Sequence, residues 1–234
     1  MSTRDDPDPH RGGVFFGRRK GHALRPRQAA LMRDLLPRLA VDLAAPPPDA
    51  LAMLFAGVVE RIRLEIGFGG GEHMIGEAEA HPRSGFIGCE PFVNGMAKAL
   101  AQIEARSIAN VRLHFGDAAE LVRWLAPASL DRVDLLYPDP WPKKRHWKRR
   151  FVQPATVAEF ARILRPGGEF RFATDWADYA AWTLERLAAS RDFLWTAECA
   201  DDWRRPWPGF TSTRYEAKAM REGRAPCYLI FRRV

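Results

Sequence analysis

The sequence predicts an α/β fold, a doubly wound parallel sheet with helices on both faces. Three observations lead there. Short apolar or alternating segments recur five times, each followed by a stretch of helical period; a glycine cluster follows the first of them; and an acid or an acid-bearing turn closes every one. With 234 residues the chain suits one domain with additional elements and buries a sizeable core.

In chain order, residues 1–25 are polar and basic and are expected to form a flexible arm, with residues 26–234 as one domain. From Arg27 the stretch QAALMRDLLPRLA sets Leu31, Leu35, Leu36 and Leu39 near one face of a short helix, interrupted or ended around Pro37. Residues 44–48 are a linker by composition, and Asp49 is a candidate cap for a short apolar segment reaching Val59. The period then changes. Ile62, Leu64 and Ile66 alternate with Arg61, Arg63 and Glu65, a strand signal that runs straight into Gly67, Gly69, Gly70 and Gly71. A helix to about Ala80 follows, then a strand over 85–89 closed by Glu90. A helix with Met96, Leu100 and Ile103 on one side leads to a strand over 111–115 closed by Asp117. Beyond a helix around Leu121, Trp124 and Leu125, a strand over 133–137 delivers Asp139. A helix around Val157, Phe160, Ile163 and Leu164 then passes through a Pro166, Gly167, Gly168 turn to a strand over 169–173, which delivers Asp175. After a helix over 179–189, segments 193–196 and 228–231 are expected to extend the sheet's edge.

The charge balance, 36 Lys and Arg against 29 Asp and Glu, leaves a surplus that is local. Arg11, Arg18, Arg19, Lys20, Arg25 and Arg27 have no acid among them, nor does the strip 143–150. Such patches favour polyanions, nucleic acid first, because neutralising phosphates releases counterions. A membrane surface ranks second, since prolines and tryptophans rather than an amphipathic helix flank the strip. Cys89, Cys199 and Cys227 are odd in number and widely separated, which indicates neither a disulfide framework nor a zinc site; buried, reduced thiols are expected. No run spans a bilayer and the first twenty residues lack an apolar core, so a soluble cytoplasmic protein is expected.

Residues 135–150 read LLYPDPWPKKRHWKRR: an apolar run, a carboxylate between prolines, an indole, and six Lys or Arg within eight positions. Pro138, Pro140 and Pro142 fix their own φ and bias the residues before them towards extended backbone, so Asp139 and Trp141 are expected on a stiff turn. Lys143, Lys144, Arg145, Lys148, Arg149 and Arg150 are expected to grip phosphates, with His146 and Trp147 stacking or packing.

Ligands of such sheets sit at the carboxyl ends of the strands. Gly67 and Gly69 let backbone approach a ligand closely, and Glu90 is set to accept from ribose hydroxyls. These features fit a nicotinamide dinucleotide or S-adenosylmethionine. Glu65 would repel a pyrophosphate and suit a cationic amino-acid tail, and Gly-x-Gly-x-Gly is not the dinucleotide spacing, which favours S-adenosylmethionine. Asp117 reads as an adenine-side residue, as a helix N-cap, or as both.

The strip PDPWPKKRHWKRR, the preceding LEIGFGGG, the TDW at Thr174, Asp175 and Trp176, and the later Thr213, Arg214, Tyr215 and Glu216 resemble the bacterial single-chain tRNA (guanine-N7)-methyltransferases, from roughly Gly17 to the carboxyl terminus. The resemblance implies a Rossmann-like class I S-adenosylmethionine-dependent methyltransferase sheet. It also implies cofactor contacts from Glu65, Glu90, Asp117 and Asp139, with Asp139 at the catalytic centre, and tRNA contacts from Lys143, Asp175, Thr213, Arg214, Tyr215 and Glu216. The implied target is the variable-loop guanine at position 46. Two features depart from the expected pattern: the Gly-Gly-Glu-His after Gly69, and an amino end that does not align residue by residue. Guanine N7 has a lone pair and no proton, so positioning is expected to dominate. Asp175 is a candidate acceptor for the guanine N1 and N2 edge, and Trp141 or Trp176 a candidate stacking partner. No obligate protein partner is expected, and the chain is expected to act as a monomer or weak homodimer. The rival readings are another amino-methyltransferase acting on RNA or protein, and a catalytically silent RNA-binding protein.

Overall fold

The computed structural model describes Gly17, Arg19 and residues 21–234; most of the arm expected over residues 1–25 lies outside the described residues. Seven strands form one sheet: β1 Arg61–Ile66, β2 Ser84–Cys89, β3 Val111–His114, β4 Leu130–Leu136, β5 Leu164–Thr174, β6 Phe193–Trp195 and β7 Cys227–Arg233. Their order is β3-β2-β1-β4-β5-β7-β6, with β7 antiparallel to both neighbours. The chain works outwards from β1 through β2 to β3 and then returns to place β4 on the other side of β1. That reversal opens a crevice beyond the carboxyl ends of β1 and β4.

The helices between the strands are α3 Glu72–Ala80, α4 Val93–Ala105, α5 Ala118–Trp124, α6 Pro154–Ile163 and α7 Ala177–Ala188. Short α1 Pro26–Asp34 and α2 Leu36–Leu39 precede the sheet, and α8 Asp201–Arg204 and α9 Arg214–Arg221 lie between β6 and β7. Their starts are chemically marked. Asp117 accepts from the Ala119 amide at 2.9 Å, Thr213 Oγ1 accepts from the Glu216 amide at 3.1 Å, and Gly71 opens α3 at φ +83°. Two apolar clusters cover the two faces. One joins Leu64, Ile87, Val133, Phe160, Phe170 and Phe231; the other joins Phe68, Met74, Phe86, Met96, Leu100 and Val111. Each such side chain contributes roughly 1.5–3 kcal/mol when fully buried.

The alternation in β1 has a different cause from a solvent face. Its polar side is covered by α3, and Glu65, Glu77, Arg132 and Asp134 are buried there with His73. Arg63 and Arg132 both reach Glu77, at 2.8 and 2.7 Å, Arg132 Nε donates to Asp134 at 2.7 Å, and His73 Nδ1 lies 2.6 Å from Glu65. Each charge in this layer has an opposite partner, as burial requires.

Several expectations need correction. The short apolar segment after the linker is a 3-10 turn, Leu51–Leu54, entered from Ala50 without a side-chain cap, so Asp49 does not cap it. The first helix breaks at Leu35, as expected around Pro37, which opens the short second helix. Strand β4 begins at Leu130, while Tyr137 leaves the strand with φ +50°. Leu164 belongs to β5, not to α6, and the Pro166 to Gly168 turn is an irregularity inside that strand, with Gly167 at φ +78°. Cys89 is buried, Cys227 half-buried and Cys199 exposed, all three free. No helix of the described residues is long and apolar enough to cross a membrane.

Candidate active site

The turn after β1 is shaped by backbone that side chains disfavour: Gly67 and Gly69 adopt φ +70° and +59°. The Gly67 amide donates to the Cys89 carbonyl at 2.8 Å, and the Gly69 amide to Glu90 Oε2 at 2.6 Å. Glu90 Oε1 accepts from the Phe92 amide at 2.8 Å, so one carboxylate ties the end of β2 to the glycine turn and to the entry of α4. Burial pushes the Glu90 carboxyl above its ordinary range, while the Phe92 and Gly69 amides and Arg214 pull it back. Helix α4 presses on the same turn, because a Cβ at Gly95 would run into the Gly69 carbonyl and come within 3.2 Å of Glu90 Cγ.

From the other side, α9 closes over the glycines. The Tyr215 ring would lie 3.3 Å from a Cβ at Gly69, and Arg214 Nη2 donates to the Tyr215 hydroxyl at 3.2 Å. Between these walls lies a cavity of about 490 Å³. It brings together Gly67, Gly69, Glu90, Asp117, Asp139, Arg214 and Tyr215, the candidates expected at the strand ends and the carboxyl-terminal helix.

Asp139 enters from the turn after β4. Tyr137 at φ +50° and Trp141 at φ +43° flank it, not the extended backbone that the following prolines favour. The physical reason at Tyr137 is tertiary. Its amide donates to the Ala173 carbonyl at 2.7 Å, and its hydroxyl is buried beside Tyr228 and Glu216. Asp139 is accessible from the cavity, yet the surrounding protein desolvates it enough to raise its carboxyl pKa. Trp141 also lines the cavity, with the Arg149 guanidinium 4.9 Å from its ring centre and His146 edge-on at 5.9 Å. Trp176 instead packs against the apolar cluster that holds Phe160 and Phe170 and does not line this cavity, so Trp141 is the tryptophan at the cavity.

Five candidates lie elsewhere. Glu65 sits behind the glycine turn, buried and engaged by His73; burial would lower the imidazole pKa, but the Glu65 charge and hydrogen bond overcome it and the net direction is up. Asp175 accepts from Arg224 Nε at 2.6 Å. Thr213 caps α9, and Glu216 is buried and accepts the Tyr228 hydroxyl. Lys143 is exposed and immediately precedes the 3-10 segment Lys144–Arg149 beside the cavity, without a side-chain capping bond. The cationic strip itself divides. Lys143, Lys144, Arg145 and Lys148 are exposed, Arg149 borders the cavity, and Arg150 is fully buried, so the expectation that Arg150 grips phosphate is corrected. The cavity roles of Arg149, Tyr137 and Phe92 were not anticipated; proximity of Arg149 to Trp141 in a Trp-x7-Arg spacing was the available signal.

The family model described as a putative methyltransferase matches residues 60–229. A tRNA (guanine-N(7)-)-methyltransferase of Nitrobacter hamburgensis is 65% identical over 221 residues, covering 94% of this chain and 87% of its own length. One of Bradyrhizobium diazoefficiens is 60% identical over 235 residues, the full length of both. Among solved structures, the precorrin-6y C5,15-methyltransferase of Geobacter metallireducens superposes with a TM-score of 0.52 at 13% identity, over 92% of this chain and 94% of that one, a likeness of fold alone.

Proposed function

The chain belongs to the tRNA (guanine-N(7)-)-methyltransferases, and from that membership we propose how its own residues transfer a methyl group to N7 of a guanine in tRNA. The methyl donor is S-adenosylmethionine, which when bound supplies a methyl activated by a sulfonium. The donor set fits it. A cavity of about 490 Å³ is walled by acids on three strand ends and floored by glycines whose positive φ leaves backbone open to a ligand. Gly67, Gly69, Glu90 and Asp117 would hold it, Glu90 accepting from the ribose hydroxyls and Asp117 from the adenine amine. Glu65 sits behind the turn with its charge paired to His73, and supports the turn that meets the donor's amino-acid end.

N7 of guanine carries a lone pair and no proton, so no residue here has to act as a general base. The work is orientation. Asp139, at the cavity wall, stabilises the positive charge that the purine gains, and Trp141 with Arg149 borders the base. Lys143, Lys144, Arg145 and Lys148 hold phosphates around the variable loop, which brings guanine 46 to the cavity. Asp175, Thr213, Arg214, Tyr215 and Glu216 form the opposing wall of the substrate site, Arg214 and Tyr215 by contact and the others by fixing α9 and the turn after β5.

One observation supports this reading above the others: the turn that carries Asp139 into the acid-lined cavity continues within a few residues into an exposed cationic segment. Incubation with an unmodified tRNA transcript and labelled S-adenosylmethionine, followed by cleavage at N7-methylguanine, tests it. Label and strand scission at position 46 are expected. Label on a base amine, or on protein, would replace this assignment with another amino-methyltransferase.

A further inference from the structure

Arg150 ends the cationic strip and turns inward. Its side chain is fully buried. Nε donates to the Pro140 carbonyl at 2.9 Å, Nη2 pairs with Asp178 in the first turn of α7, and the rings of Trp147, Tyr179 and Trp182 stand 5.0, 4.9 and 5.0 Å from its guanidinium carbon. Burying a guanidinium is costly, the more so as Nη1 here has no hydrogen-bond partner among the described residues, and an apolar side chain of similar volume often fills such a space as well or better. Arg150 therefore does something there that volume alone does not.

The segment it touches explains what. In Pro138, Asp139, Pro140, Trp141 and Pro142, three of five residues have no N–H, so this turn has little means of holding itself by backbone hydrogen bonds. Tyr137 and Trp141 moreover take the left-handed backbone, a conformation that persists only where surroundings enforce it. The carbonyl that Arg150 grips belongs to Pro140, the peptide neighbour of Asp139. Asp178, its other partner, lies three residues beyond Asp175.

We propose that Arg150 is a positioning residue for methyl transfer, which holds Asp139 at the cavity wall through the Pro140 carbonyl and keys that turn to α7 through Asp178. The inference rests on Asp139 being the carboxylate at the reacting centre. The planar fork matters, since one guanidinium must reach a carbonyl and a carboxylate while lying against aromatic faces; an ammonium offers no such plane.

The test uses the full chain with Arg150→Lys and Arg150→Ala, measuring thermal midpoint, affinity for S-adenosylmethionine, tRNA affinity across salt, and the single-turnover methylation rate. Binding of both ligands is expected within about twofold of the original, with the rate lowered about tenfold in the lysine variant and about 100-fold in the alanine variant, as misplacement of a reacting group does. Guanidinium ion at about 20 mM, far below the molar range that unfolds domains, is expected to restore part of the alanine variant's rate, and potassium chloride at equal ionic strength to restore none. If the alanine variant does not fold, the lysine variant decides. A lysine variant with the original rate would overturn the inference. So would a loss expressed wholly as weaker tRNA binding with a flatter salt dependence, which would return Arg150 to the phosphate-gripping set. An original chain that puts no methyl on guanine N7 would overturn the underlying reading, whereas an active original with an equally active variant overturns this inference alone.

Discussion

Replacing Gly95 with alanine sets two effects of opposite sign against each other. Gly95 lies in the first turn of α4, where alanine should gain roughly 0.5–1 kcal/mol from helix propensity and lower chain entropy. Against this, the new methyl would run into the Gly69 carbonyl, which is backbone and cannot rotate away, and would crowd Glu90 Cγ at 3.2 Å. Overpacking of that kind costs about 1–3 kcal/mol, so the net effect is destabilising by up to about 2.5 kcal/mol. At roughly 2–4 °C per kcal/mol for a chain of this size, the thermal midpoint should fall by several degrees. The displacement also falls on the hydrogen bond from the Gly69 amide to Glu90, so affinity for S-adenosylmethionine should fall about tenfold or more while tRNA affinity is kept. Differential scanning fluorimetry and calorimetric titration read the two effects. An alanine variant that is more stable and binds the donor normally would refute the packing of α4 on the glycine turn as the feature that shapes the cavity.

Other outcomes follow from the same geometry. Asp139→Asn should abolish methyl transfer in a single-turnover assay while leaving tRNA binding intact. Because burial raises the Asp139 pKa, the ionised carboxylate is disfavoured in the folded chain, so the asparagine variant should be the more stable one at neutral pH. That advantage should fade as pH falls through the raised value, which a pH series of melting curves checks. Lys143→Ala with Arg145→Ala should raise the tRNA Michaelis constant and reduce the slope of log affinity against log salt by roughly 1.4–1.8, with donor affinity unchanged. His73→Phe should strand Glu65 as a buried acid and cost about 3–5 kcal/mol by urea denaturation. The raised His73 pKa means the pair's contribution is full below the ordinary histidine value and is lost as pH rises through the raised one, so the original chain should itself lose stability over that range.

What the sequence made legible was periodic or local. The alternation of Ile62, Leu64 and Ile66, the glycines after them and the acid after each strand placed the sheet and most of the cavity wall, because these signals depend on near neighbours. Long-range contacts were less readable. Alternating Arg63 and Glu65 look the same whether the polar side faces water or α3, and only the position of Glu77 and Arg132 across that layer distinguishes them. The run Lys143 to Arg150 reads as one solvated strip, whereas the 3-10 segment Lys144–Arg149 carries its last member into the core. Thr213 and Glu216 are implied as tRNA contacts, whereas Thr213 caps α9 and Glu216 accepts the Tyr228 hydroxyl, the latter contact depending on β7 further along the chain. At Tyr137 the local rule for residues before proline lost to tertiary anchoring.

On the proposed function, the same competition explains why chemistry and recognition would share one segment. A reaction without a general base gains little from a reactive side chain and much from a fixed one, so the carboxylate proposed at the reacting centre needs a backbone that does not relax. Prolines stiffen the turn but strip it of amides, which leaves carbonyls such as that of Pro140 to be held from outside. The Arg150 guanidinium at the end of the cationic strip meets that need, and because strip and turn are continuous, phosphates held at Lys143 to Lys148 as proposed would constrain the same backbone that bears Asp139. Substrate binding and alignment of the reacting group are then two consequences of one rigid path, which predicts that loosening the path lowers the rate even where neither ligand is lost.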